Sequence, residues 1–138
     1  MMPLLYQSTR DEKNIVTASE AILQGLATDG GLYVPTQFPE LHLDFAKLAT
    51  QTYQEVAEFI LQAFLTDFTA EEIKACVAGA YDEKFDDPVI EKKKKKGDSY
   101  YLELFHGPTF AFKDLALSIL PYLTTTAAKK NQVEKEIV

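Results

Sequence analysis

The sequence has 138 residues, 46% of them hydrophobic and 25% charged, which suits one globular domain and argues against disorder over most of the length. Its 21 acidic and 14 basic side chains leave a net charge of −7, which argues against a nucleic-acid partner, since phosphate binding needs a basic surface. A single cysteine, Cys76, excludes an internal disulfide scaffold; no apolar run nears the roughly 18 residues of a membrane helix, and residues 1–12 lack a signal peptide's basic start and apolar core, so a cytoplasmic protein is expected.

Thr17-Ala18-Ser19-Glu20 reads as a capping box that opens a helix with Ala18, Ile22 and Leu26 on one face and Leu23 beside them. Gly25 weakens this helix and the turn Asp29-Gly30-Gly31 ends it. Leu32-Tyr33-Val34 is a short strand stopped by Pro35, and residues 37–42 form a loop. A second helix spans Tyr53 to Leu65, with Val56, Phe59, Ile60, Ala63 and Phe64 as its apolar stripe. Thr69-Ala70-Glu71-Glu72 repeats the capping box and starts a third helix towards Tyr81. Ile73, Cys76, Val77 and Ala80 lie on its apolar side, so Cys76 is read as a core residue. Asp86-Asp87-Pro88 signals a turn.

The five lysines Lys92 to Lys96, ending at Gly97-Asp98, read as a solvated, mobile loop. Tyr100 to His106 is the strongest strand pattern in the chain, and Gly107-Pro108 turns it. A long helix follows from Phe110 to Lys130, with Phe112, Leu115, Ala116, Ile119, Leu120 and Leu123 in helical spacing. Pro121 is expected to bend or interrupt it near Leu117. Glu136-Ile137-Val138 looks like the opening of another strand, so strand, helix and strand begin a βαβ unit and the chain is expected to stop mid-domain. The class is α/β: a mainly helical part with a small strand component over residues 1–88, then the truncated opening of a three-layer domain over 89–138.

Candidate chemistry concentrates in residues 105–114, Phe-His-Gly-Pro-Thr-Phe-Ala-Phe-Lys-Asp. Thr109 is the natural N-cap, which puts Lys113 about one turn inside the helix. There the positive end of the helix dipole and the rings of Phe110 and Phe112 favour a neutral amine, while the adjacent Asp114 opposes them. A neutral amine is what a Schiff-base lysine needs; the alternative is a helix lysine with its amine in water. His106 is an acid or base, a stacking partner for a planar ligand, or a structural residue at a strand end. Gly107 most simply supplies a tight turn. His42 belongs to no recognisable pattern, and no metal-ligand spacing, nucleophile elbow or phosphate loop is present.

Three stretches taken together resemble the threonine synthase family: Tyr6-Gln7-Ser8-Thr9-Arg10, the run from Gln24 to Leu32, and Glu103-Leu104-Phe105-His106-Gly107-Pro108-Thr109 followed by Ala111-Phe112-Lys113-Asp114. The resemblance implies a tryptophan-synthase-β-like fold and a pyridoxal 5'-phosphate enzyme that converts O-phospho-L-homoserine and water to L-threonine and phosphate. It implies that the lysine of the Phe-Lys-Asp motif, Lys113 here, carries the cofactor as a Schiff base and shuttles a proton. Phe112 and Thr109 are then cofactor neighbours, and Arg10 with the Asp29-Gly30-Gly31 turn either faces the substrate or is structural, Arg10 through a salt bridge. The family continues into a Ser-Gly-Asp-Thr-Gly loop for the cofactor phosphate, which lies beyond Val138, so this piece alone is expected to be inactive. Where the family has a Pro-Leu segment, this chain has its lysine run. The competing readings are an interaction or regulatory module derived from that enzyme and a small acidic helical protein with Lys113 on its surface. The broad apolar face of the last helix is expected to favour self-association.

Overall fold

The computed structural model describes residues 3–85, 90 and 93–134. The expected Asp86-Asp87-Pro88 turn and the strand at Glu136-Ile137-Val138 lie outside them. Elements run β1 (Tyr6–Ser8), β2 (Ile15–Val16), α1 (Ala18–Gln24), β3 (Tyr33–Pro35), α2 (Phe45–Leu48), α3 (Tyr53–Phe64), α4 (Ala70–Ala80), β4 (Lys93–Lys96), β5 (Ser99–Leu102), α5 (Asp114–Leu117) and α6 (Leu120–Lys130). This is a mixed α/β arrangement, and no helix is long and apolar enough to cross a membrane among the described residues.

The capping boxes form as the sequence dictates. Thr17 accepts from the Glu20 N–H at 3.3 Å, and Glu20 accepts from the Thr17 N–H at 2.8 Å. Thr69 and Glu72 repeat the exchange at the start of α4, and Thr52 and Glu55 do so for α3, a third box that the same spacing encodes. Helix α1 stops earlier than its apolar spacing suggests. Gly25 takes φ 69°, a left-handed conformation that ends the helix at Gln24, so Leu26 leaves the helical face and pairs in an isolated bridge with Leu32.

Strand β1 lies between β2 and β3, both antiparallel, with Tyr6 opposite Val16 and Pro35. Pro35 is the last residue of β3, so the strand stops at it as expected while still including it, and an edge strand tolerates the missing donor. Strands β1 and β2 have three and two residues, too short for alternation to reveal them. Helix α2 also escapes the periodic pattern; its start is set by Asp44, whose carboxylate accepts from the Ala46 and Lys47 N–H groups.

The core gathers residues of α1, α4 and α6. Ile73, Cys76, Val77 and Ala80 of α4 are all buried, as their spacing predicts, and they meet Ala18, Phe68, Ile119, Leu123 and Ala127. Helix α3 is rotated from the expected stripe: Tyr53, Ala57 and Leu61 pack against the core, while Phe59 stays 38% exposed. The Tyr53 and Tyr81 rings meet edge to face at 4.8 Å, which fixes that rotation.

The chain from 93 onward departs most from expectation. The lysines at 93–96 form a strand, not a loop, paired to β5 from Lys93–Leu102 through Lys96–Ser99. The two-residue Gly97-Asp98 turn makes this possible, with Gly97 at φ 61°. The side chains of both strands remain exposed. The strand expected over Tyr100–His106 ends at Leu102. The expected long helix is two: α5 begins at Asp114, and α6 begins at Leu120 with Pro121 in its first turn, the one place a helix accepts a residue without an N–H. Of its expected stripe, Ile119 and Leu123 are buried, while Phe112 and Leu120 are exposed.

Candidate active site

Residues 103–114 leave β5 and reach α5 through a succession of tight turns. The Phe110 N–H donates to the Gly107 carbonyl at 3.1 Å, and the Asp114 N–H donates to the Ala111 carbonyl at 3.1 Å. Phe110 is held at φ 59°, a left-handed conformation that costs a bulky residue energy and persists only where its surroundings impose it. Thr109 does not cap the helix. Its hydroxyl donates to Asp114 Oδ1 at 2.5 Å and its N–H donates to Asp114 Oδ2 at 2.9 Å. The N-cap of α5 is Lys113 itself, so the lysine stands at the helix boundary rather than one turn inside it. Thr109 is drawn away from the helix by a carboxylate that offers two acceptors where the helix offers a single N–H.

Lys113 is exposed, and Asp114 beside it is 5% exposed. The Thr109 hydroxyl and N–H outweigh burial and hold the Asp114 carboxyl below the usual carboxylate range. Phe110 and Phe112 do not enclose the lysine, being 72% and 68% exposed. Gly107 is required for a reason other than a turn: its φ is not left-handed, but a methyl at that position would overlap the Asp114 side chain. The segment is anchored to the body by Tyr81, whose hydroxyl donates to the Leu115 carbonyl at 2.8 Å. Burial pushes the Tyr81 phenol well above its ordinary value, so it stays a donor.

His106 Nε2 lies 2.9 Å from Glu103 Oε2, and Lys94 Nζ lies 2.6 Å from Glu103 Oε1. Lys94 first and His106 second hold the Glu103 carboxyl low. The His106 ring also rests on Phe105, with centroids 4.6 Å apart, so this histidine ties the hairpin to the turn. The open hollow of about 730 Å³ beside the hairpin is lined by residues 94–96 and 101–103 with Phe105; Lys113, Phe112 and Thr109 stand outside that set.

Arg10 and the glycine turn form a separate cluster. The Ser8 hydroxyl and the Gly31 N–H both donate to Asp29 Oδ1 at 2.8 Å. Gly31 first and Ser8 next hold the Asp29 carboxyl low. The Arg10 guanidinium donates to the Asp29 carbonyl at 3.2 Å and lies against Gly30, so it braces the turn by a backbone hydrogen bond in place of the expected salt bridge. Cys76 is buried, with its sulfur 3.5 Å from Thr126 Oγ1, as a core residue should be.

Sequence reasoning found the lysine turn but missed the role of Asp114 and the Tyr81 anchor. The signal for the first was a hydroxyl directly after Gly107-Pro108 and five residues before a carboxylate; for the second, no local signal exists, because 34 residues separate the partners.

Comparison with known proteins gives this arrangement its context. A family model described as "Threonine synthase N terminus" matches residues 5–81. The chain belongs to the threonine synthase family. Threonine synthase of Schizosaccharomyces pombe is 33% identical over an alignment covering 95% of this chain and 27% of that protein. Threonine synthase of Pseudomonas aeruginosa is 37% identical, covering 83% and 25%. Among solved structures, PLP-bound threonine synthase from Brucella melitensis superposes with a TM-score of 0.84 at 32% identity, over 94% of this chain and 28% of that one. Threonine synthase from yeast gives 0.81 at 30% identity, over 95% and 28%. The chain thus spans about a quarter of the length of these threonine synthases.

Proposed function

We propose that this chain carries the lysine-bearing part of a threonine synthase, a carbon–oxygen lyase that converts O-phospho-L-homoserine and water to L-threonine and phosphate, with pyridoxal 5'-phosphate as cofactor. The observation that carries the reading is the ordered turn at 107–114, which presents an exposed Lys113 amine within a fold that superposes on PLP-bound threonine synthase. The residues fit the group chemically: a primary amine without a partner among the described residues follows Phe110 and Phe112 in sequence, and both of their rings are exposed. Lys113 would hold the cofactor, and Phe112 and Thr109 would contact it. When bound, the cofactor supplies an electron sink for negative charge developing beside the substrate amine. Lys113 Nζ is then the group that takes and returns a proton, and the turn keeps that amine in place.

The division near residue 88 is proposed as the boundary between the family's N-terminal part and its cofactor part, supported by a family match that ends at residue 81. A cytoplasmic location, a small-molecule substrate rather than nucleic acid or membrane, and self-association through the exposed rings and Leu117 and Leu120 belong to the same reading.

The test is exposure of the longest form of the protein to pyridoxal phosphate, borohydride reduction and peptide mapping. A phosphopyridoxyl group on Lys113 is expected. Reduced adducts spread over surface lysines, with none favoured, overturn the assignment.

A further inference from the structure

We propose that Asp114 is a positioning residue for Lys113: its carboxylate closes residues 109–114 into a ring on Thr109 and so fixes the backbone from which the lysine amine projects. The inference rests on the assignment of Lys113 as the cofactor lysine.

Two adjacent residues of opposite charge go opposite ways. Lys113 faces solvent, and Asp114 turns inward to 5% exposure. A carboxylate is buried at a cost unless hydrogen bonds replace its water. Here Thr109 replaces it twice, through hydroxyl and N–H, at 2.5 and 2.9 Å. Both bonds run from one residue to one ionised group, which makes them stronger and more directional than neutral pairs. The ring they close contains Phe110 at φ 59°, a conformation that needs such over-determination. Gly107 completes the arrangement by leaving the space that the Asp114 side chain occupies. Turned in among Thr109 and Gly107, Asp114 acts through the backbone on either side of it and not on a ligand. Placement of a reacting group is worth this construction, because a displacement of about 1 Å costs on the order of a hundredfold in rate.

The experiment measures where pyridoxal phosphate reacts at limiting concentration in the longest form of the protein. After borohydride, peptide mapping gives the ratio of adduct at Lys113 to that at the exposed Lys47 and Lys74, an internal control independent of turnover. The unsubstituted protein is expected to favour Lys113, and Asp114→Ala to lose about tenfold of that preference. Asp114→Asn is expected to retain it, since the amide oxygen still accepts from the Thr109 N–H and the amide nitrogen donates to the hydroxyl. Hydrogen exchange at the Thr109 amide should follow the same order, protected with Asp or Asn and fast with Ala. A favoured Lys113 that Asp114→Ala leaves unchanged overturns the positioning role. A Lys113 that is not favoured even in the unsubstituted protein overturns the cofactor assignment instead. Should Asp114→Ala fail to fold, Thr109→Val and Thr109→Ser decide, read by exchange at the Phe110 amide, which a lost ligand contact would not move. Faster exchange with Val and protection with Ser support the ring; equal protection in both overturns it.

Discussion

Helix α4 and the turn at 107–114 use similar apolar side chains to opposite ends. In α4, Ile73 and Val77 are fully buried at helical spacing, and a capping box holds the first turn. In the turn, Phe110 and Phe112 are mostly exposed, and the buried side chain is that of Asp114, a charged residue packed beside the buried Gly107. One region is held by apolar area removed from water, the other by hydrogen bonds to a carboxylate. The difference teaches that the site owes its shape to polar bonds between near neighbours in sequence. It therefore answers to different perturbations from the core that carries it.

Truncation tests this most strongly. Ile73→Ala should cost about 2–5 kcal/mol of unfolding free energy in a urea titration, because the cavity lies among packed neighbours. Phe112→Ala, which removes a larger side chain, should stay within about 0.5 kcal/mol of the starting protein. Comparable losses from both would end the contrast. Gly107→Ala should fall between them, at about 1–3 kcal/mol, because its methyl overlaps the Asp114 side chain. The same measurement checks it, and a neutral result would mean that the turn yields readily.

Acid provides the smallest effect and the sharpest discrimination. The Asp114 carboxyl is held low in the folded chain by Thr109, so its ionised form binds more strongly there than in the unfolded chain. Its contribution is complete above the ordinary aspartate value of about 3.9 and is lost as pH falls through the lower folded value. Asp114→Asn has no proton to take up at that position. Its melting temperature should therefore fall less steeply below about pH 4 than that of the unsubstituted protein. Parallel acid profiles for the two proteins would show that the Thr109 bonds do not depend on the charge.

Much of the helical framework is legible in local spacing. The Thr17 and Thr69 boxes, the buried face of α4, the core position of Cys76 and the break ahead of Pro121 need only residues three to four apart, the range within which side chain and backbone meet on a helix. The lysine strand was not legible, because five like charges suggest repulsion and solvation; pairing with Ser99–Leu102 across a two-residue turn overrides that preference. The rotation of α3 was equally hidden, since Tyr53, Ala57 and Leu61 and the stripe Val56, Phe59, Ile60, Ala63 and Phe64 are both apolar, and the Tyr81 contact selects between them.

For this protein the sequence by itself determined where α1 and α4 begin, which face of α4 is apolar, and the three motifs by which it resembles threonine synthases. All of these reside in residue identity at short spacing. Only the tertiary structure decided that α6 completes the core of α1 and α4, that Arg10 braces a backbone carbonyl, and that of the neighbours Lys113 and Asp114 the acid turns in and the amine turns out. Those choices compare the burial of one group against another across turns and distant elements, and no local period carries that comparison.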